Sequence, residues 1–345
     1  MLDTKQKVIN RIAQLSSLAA ALSTAPAEKV LQLRDELLAL PEDGQFAPGG
    51  LSGLNADGSP LQYCISASRD HCNGRFLSDP ACVIGSPTQR YRHGYAALQR
   101  LYQSTGTTAI RHVSEDMLRF NLPAEGNGFD EAYPDGVFWL GASPDMHGLA
   151  VYMDGRRGGH DASWNRFGDW LNHLMPGNTE ASGFIAAVRR HASIMSIGLE
   201  GSSMENLRAK LYFRLSHKAA LSDLGVKLLL REEFPAFLSE VVGDRAIKLS
   251  GLVFNIGFHI ASQKMFDAKI DVCACHRCVD IDARQWMEVL ARTSSRHGLT
   301  PFPVDEVILR DQCAVSYYGI GVDRRGNVRM NLYLKNKIFE HATQS

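Results

Sequence analysis

Apolar residues in this chain recur at two spacings, one helical and one strand-like, and the two alternate from end to end. Over residues 1–42, Leu15, Leu18 and Leu22, then Val30, Leu31, Leu33, Leu37 and Leu38, fall at helical intervals, with Pro26 and Pro41 as punctuation. That pattern predicts two helices, and the Gly-, Pro- and Asp-rich stretch 41–60 predicts a loop. From Leu61, two short apolar runs flank a polar turn at Arg69–Gly74, and a helix follows over about 87–103 with Tyr91, Tyr95, Leu98 and Tyr102 as its stripe. The alternation then continues. Val137–Met153 reads as two strands around a Ser-Pro-Asp turn, Trp164–Met175 and Glu180–His191 as helices, and Ser193–Ser216 as a hairpin. Leu221–Val242 reads as helix, Leu249–Cys275 as two strands, Ala283–His297 as helix, and Ala314–Lys335 as a hairpin turning at Asp323–Asn327.

A helical segment followed by a two-strand hairpin thus occurs five times, with hairpins near 62, 137, 193, 250 and 314. Spacings of roughly 55 to 75 residues are too long for a small-repeat solenoid. Ten strands in consecutive hairpins, with helices between them, predict an α+β fold closed into an antiparallel barrel. Closure removes exposed edges, and a ten-strand barrel has a lumen wide enough for ligands. The period by itself is equally compatible with an open α+β sheet. No linker-like stretch divides the chain, so one domain is expected over 1–345: N-terminal helices and loop to 58, and five hairpin–helix repeats over 59–340.

The hairpin at 193–216 carries an unusual strand. Arg208, Lys210, Tyr212 and Arg214 alternate with Leu207, Ala209, Leu211 and Phe213, so three cations and a phenol share one face and an apolar set the other. A solvated strand face would mix Thr, Ser, Glu and Lys; cations without an acid point to a bound anion. Elsewhere charge is balanced, with 37 basic and 37 acidic residues. This argues against a general nucleic-acid or anionic-membrane binder and makes the cation cluster local. No 18-residue run is apolar enough to span a membrane, the first residues resemble an amphipathic helix more than a signal peptide, and seven irregularly spaced cysteines fit reduced thiols. A soluble, cytoplasmic protein is expected.

Four stretches resemble the PT-barrel (ABBA) prenyltransferases of the dimethylallyltryptophan-synthase type. SPLQYCISAS (59–68) with GRFLSDPA (74–81) resembles that family's first hairpin, and FWLGASPDMHGLAVYMD (138–154) its second, whose outgoing strand carries K-x-Y. LRAKLYFR (207–214) matches the R-x-K-x-Y of the third, and VSYYGIGVDRRGNVRMNLYLK (315–335) resembles the last. The resemblance implies transfer of a prenyl group from dimethylallyl or geranyl diphosphate to an electron-rich aromatic acceptor, an indole or tryptophan derivative, through an allylic cation. It implies Arg75, Arg208, Lys210, Tyr152, Tyr212 and Tyr333 as diphosphate and cation contacts, with Arg329 and Asn331 on the face of Tyr333 and Lys269 on the fourth hairpin. Lys210 and the residue at 62 are the implied catalytic positions. Preorganised donors lower the cost of diphosphate departure, arginine as a fork and lysine as a point charge, while tyrosine faces stabilise a cation.

The chain departs from the pattern at three places. Gln62 stands where indole-prenylating members have a glutamate that takes the indole proton. Ala150 replaces the lysine of K-x-Y. Asp271 shares a strand face with Lys269 and Cys273, and an aspartate beside diphosphate would repel it unless Mg²⁺ bridged the two. Much of the family works without a required metal, so no cofactor is expected and Mg²⁺ stays open. A cyanobactin-type peptide acceptor, or a non-catalytic barrel of the same ancestry, are the alternative readings; a lipocalin-like carrier fits poorly with the interleaved helices. CACHRC (273–278) has zinc-ligand residue types without a second paired cluster, RGGHD (157–161) reads as a turn, and Trp139, Trp164, Trp170 and Trp286 read mainly as packing, with Trp139 placed where it could face the lumen.

Overall fold

The computed structural model describes residues 4–39, 52–55, 60–81, 86–123, 128–133, 136–145, 148–216, 218–243, 251–275 and 278–336. Ten antiparallel strands close into a barrel in the order β1-β10-β9-β8-β7-β6-β5-β4-β3-β2. They are β1 (Leu61–Ala67), β2 (Cys72–Ser78), β3 (Phe138–Ala142), β4 (Leu149–Asp154) and β5 (Ala192–Gly201). The second half comprises β6 (Arg208–Leu215), β7 (Leu252–His259), β8 (Lys264–Cys273), β9 (Ala314–Asp323) and β10 (Val328–Lys335). The expected closed barrel is therefore present, and the open sheet is excluded because β1 pairs β10 from Gln62↔Lys335 to Ala67↔Met330. Register shifts at Ile194/Ser196 in β5, Gly257/Phe258 in β7 and Tyr333/Leu334 in β10 supply the local bends that curvature requires.

Helices ring the barrel: α1 (Thr4–Leu22), α2 (Ala27–Leu38), α3 (Pro87–Ser104), α4 (Arg111–Asn121), α5 (Phe129–Ala132), α6 (Gly159–Leu174), α7 (Thr179–Val188), α8 (Glu233–Val242) and α9 (Ala283–His297). Local chemistry sets their ends. Ser86 and Gln89 form a reciprocal cap at the start of α3, with Pro87 at its first turn, and Asp282 with Gln285 does the same for α9. The core lies between strands and helices. Outward-facing Leu211, Phe213, Phe254, Phe258, Ile270 and Tyr318 are fully buried, each worth about 1.5–3 kcal/mol for the larger apolar side chains. Phe184 of α7 packs edge-on against Phe258 at 5.4 Å, and Phe237 of α8 lies 5.3 Å from Tyr318.

Two readings of the helical pattern are corrected. Leu221–Val242 is not one helix: Gly225 takes φ +61°, which splits the segment into short 3-10 turns at Leu221–Leu224 and Lys227–Leu230 before α8 starts. The Arg157–Asp161 turn ends in α6, which begins at Gly159. Helices α4 and α5 occupy a stretch to which the pattern assigned no element. Among the described residues, no helix is long and apolar enough to cross a membrane.

Candidate active site

Strand alternation turns Arg208, Lys210, Tyr212 and Arg214 of β6 inward and sends Ala209, Leu211 and Phe213 to the helices. Space for the long inward side chains comes from glycine: Lys210 pairs with Gly198 on one side and Gly257 on the other. A Cβ at Gly198 would lie 2.2 Å from Tyr152 Cδ1. Gly198→Ala is therefore expected to displace the Tyr152 ring and to destabilise the barrel by about 1–3 kcal/mol, as a denaturant titration would show.

The lumen has two compartments. One is a cationic bowl of about 480 Å³ lined by Arg75, Arg208, Lys210, Lys269, Arg329 and Asn331. The sequence pattern asked for an anion here, and the chain supplies one itself. Glu200 of β5, opposite Arg208 in the register, accepts from Arg75 Nη1 at 2.9 Å and Arg208 Nη2 at 3.2 Å, and contacts Lys210 Nζ. The Tyr152 hydroxyl reaches its other oxygen at 3.3 Å. Asp267 takes the remaining fork of Arg208 at 3.0 Å and that of Arg329 at 2.6 Å. Burial pushes the Glu200 carboxyl up, but Lys210, Arg75, Arg208 and Arg329 outweigh it and hold Glu200 well below the usual carboxylate range. Burial pushes the Lys210 ammonium down to about 7, with Glu200 opposing that shift and Arg208 adding to it.

The second compartment is an aromatic chamber of about 190 Å³ bounded by Leu77, Trp139, Tyr152, Tyr212, Tyr317 and Tyr333, with Gln62, Arg214 and Asp271 at its wall. Tyr152 and Tyr212 meet edge to face at 5.6 Å, and Tyr317 and Tyr333 at 6.2 Å. Burial raises the pKa of all four phenols, which keeps them neutral donors. Trp139 Nε1 is buried without a hydrogen-bond partner. Lys269 bridges the compartments: its Nζ sits 4.5 Å over the Tyr333 ring, donates to that hydroxyl, and contacts Asp271 Oδ1 at 2.7 Å.

All ten sequence-predicted positions face this one lumen. Arg75, Arg208, Lys210, Lys269, Arg329 and Asn331 line the bowl, Gln62, Tyr152 and Tyr333 the chamber, and Tyr212 both. Gln62 donates from its amide nitrogen to Ser316 Oγ at 3.2 Å and to Asn55 Oδ1. One placement differs from expectation. Asp271 lines the chamber and not the bowl, and it meets the bowl through its contact with Lys269. Trp139 lines the chamber, whereas Trp164, Trp170 and Trp286 pack among the buried core residues. Glu200 and Asp267 are lumen residues that the pattern did not single out.

Asp271 is committed to Lys269, and Glu200 and Asp267 to arginines and Lys210. Among the described residues, no group of three His, Cys, Asp or Glu is placed to hold a metal ion. Within CACHRC, Cys273 is buried and Cys275 and Cys278 half-buried; His276 lies outside the described residues.

No protein-family sequence model matches the chain, and no curated protein sequence matches it either. Solved structures do. The 5-dimethylallyltryptophan synthase from Streptomyces coelicolor superposes with a TM-score of 0.74 at 17% identity, covering 99% of each chain. The 6-dimethylallyltryptophan synthase from Micromonospora olivasterospora, in complex with DMASPP and Trp, superposes at 0.76 and 16% identity over 95% of this chain and 97% of its own. Prenyltransferase PriB, in a ternary complex with L-tryptophan and dimethylallyl thiolodiphosphate, superposes at 0.71 and 14% identity over 96% of both. The chain has the PT-barrel fold of these prenyltransferases.

Proposed function

We propose that the protein is an aromatic prenyltransferase that moves a dimethylallyl group from its diphosphate to an indole-type acceptor such as tryptophan. The observation that carries this reading is the adjacency, in one lumen, of a five-cation bowl and an aromatic chamber. Ionisation of an allylic diphosphate puts charge on the departing oxygens, and fixed donors in a dry site meet that charge without reorganising. Arg75 and Arg329 each spend one nitrogen on a carboxylate and Arg208 two, leaving the rest of each guanidinium for the diphosphate. The cation left behind faces Tyr152, Tyr212 and Tyr333, whose ring faces stabilise positive charge and whose packing excludes the water that would quench it. Trp139 Nε1 is a donor available to an acceptor in the chamber.

Incubation with dimethylallyl diphosphate and tryptophan, followed by mass spectrometry for a prenylated product, tests the reading. Absence of product across tryptophan, other indoles and tyrosine, with dimethylallyl and geranyl donors, would refute it. A second reading, a barrel that binds anions without turnover, draws support from Ala150 and from Glu200 inside the cation set. Binding without product would favour it. Grip on the diphosphate through protein cations alone implies that EDTA leaves turnover unchanged, a direct comparison in the same assay.

Lys210 also makes binding pH-dependent. With its ammonium pushed down to about 7 by burial, the empty lumen holds it charged below that value and neutral above it. A diphosphate favours the charged form, so binding at pH 8 should take up a proton and binding at pH 6 should not. Titration calorimetry with dimethylallyl thiolodiphosphate in buffers of different ionisation enthalpy reads the uptake directly; equal enthalpies in all buffers at pH 8 would contradict it.

A further inference from the structure

Substitution at an aromatic carbon ends with loss of a ring proton, and Gln62 cannot accept one. We propose that Asp271 accepts it; the assignment rests on the prenyl-transfer reading above. Glu200, Asp267 and Asp271 are carboxylates of the barrel's inner face, and their surroundings separate them. Glu200 is enclosed by Arg75, Arg208 and Lys210, and Asp267 by Arg208 and Arg329, all within or beneath the cationic bowl. Asp271 alone of the three lines the aromatic chamber, as Gln62 does.

Its place is held open by the neighbouring strand. Asp271 pairs with Gly319 of β9, where a Cβ would lie 2.0 Å from Asp271 Oδ1. Lys269 contacts the carboxylate at 2.7 Å and fixes its orientation. Any carboxylate is base enough for this step, because an arenium ion is far more acidic than a carboxylic acid; position decides which one acts. In the step, the allylic C–O bond breaks and its electron pair leaves with the diphosphate. A ring π pair forms the new C–C bond. The C–H bond at the attacked carbon then breaks, its pair restores the aromatic ring, and the proton passes to an Asp271 oxygen, to be released to solvent when product leaves. No other reactant is needed.

The test compares wild type and Asp271→Asn with the acceptor that wild type prenylates, unlabelled and deuterated at the attacked carbon. Wild type should show an isotope effect on kcat near unity. Asp271→Asn should lose roughly 10²-fold or more in kcat and gain a primary isotope effect, because proton loss becomes rate-limiting, while dimethylallyl thiolodiphosphate still binds. Asp271→Ser, which removes the carboxylate and keeps a small polar group, should produce the same isotope effect and replaces the first variant should that fail to fold. Wild-type kcat in Asp271→Asn, or a slower variant whose isotope effect stays near unity, overturns the assignment and leaves the prenyl-transfer reading intact. A wild-type protein that forms no product overturns both.

Discussion

Lys210→Ala is expected to lower kcat/KM for the prenyl diphosphate by roughly 10²–10³-fold, the usual cost of deleting one preorganised donor to a developing anion. Lys210 lines the bowl, buried, paired on its strand neighbours with Gly198 and Gly257. Arg208 should behave similarly, because its two forks tie Glu200 to Asp267 and its loss loosens both carboxylates as well as removing a donor. Steady-state kinetics, with circular dichroism to confirm folding, checks both variants. Kinetics like wild type in either would remove that residue from the diphosphate grip.

Glu200→Gln should have a large effect of a different kind, one whose sign depends on the ligand. In the empty lumen Glu200 is the shared partner of Arg75, Arg208 and Lys210. Removing one partner of a buried ion pair costs about 3–5 kcal/mol, and the low end applies here because the arginine tips reach solvent. With a thiolodiphosphate bound, the same substitution removes a like charge beside the ligand, so the analogue should bind more tightly than to wild type and recover most of the lost thermal stability. The pH dependence follows the same logic. Glu200 lies well below its ordinary value of 4.5 in the folded protein, so its contribution is complete above that value and disappears as pH falls through the lower, folded-state value. Acidification should therefore cost wild type more stability than Glu200→Gln. Thermal melts with and without ligand at two pH values measure all of this; a variant as stable as wild type without ligand would show that Glu200 holds nothing together.

The alternation of LRAKLYFR was enough to place Arg208, Lys210 and Tyr212 on one wall of a barrel, because a period of two admits only one choice of face. Glu200 was harder to read. It is a single acid at the end of the mostly apolar strand SIMSIGLEG, and only the register across the turn, which sets it opposite Arg208, brings it among the cations. Counting back from that turn on the face of Ser196 and Gly198 would have found it. Asp271 was legible as a lumen residue, yet its compartment depends on how the barrel tilts and on Gly319 facing it, which no single strand records. The split of Leu221–Val242 turned on one glycine, Gly225, whose positive φ outweighed an otherwise helical pattern.

Because β1 pairs with β10, the first and last hairpins share a seam, and that seam carries Arg329, Asn331 and Tyr333 alongside Gln62 and Cys64. A ribosome delivers β1 long before β10. Until the final hairpin emerges, the nascent chain has eight strands, two open edges and a lumen exposed along one side. Joining ends so distant in sequence is the slow kind of contact to make. The cationic bowl is therefore completed in the same event that seals the barrel, and a chain that stops short of β10 lacks Arg329, Asn331 and Tyr333.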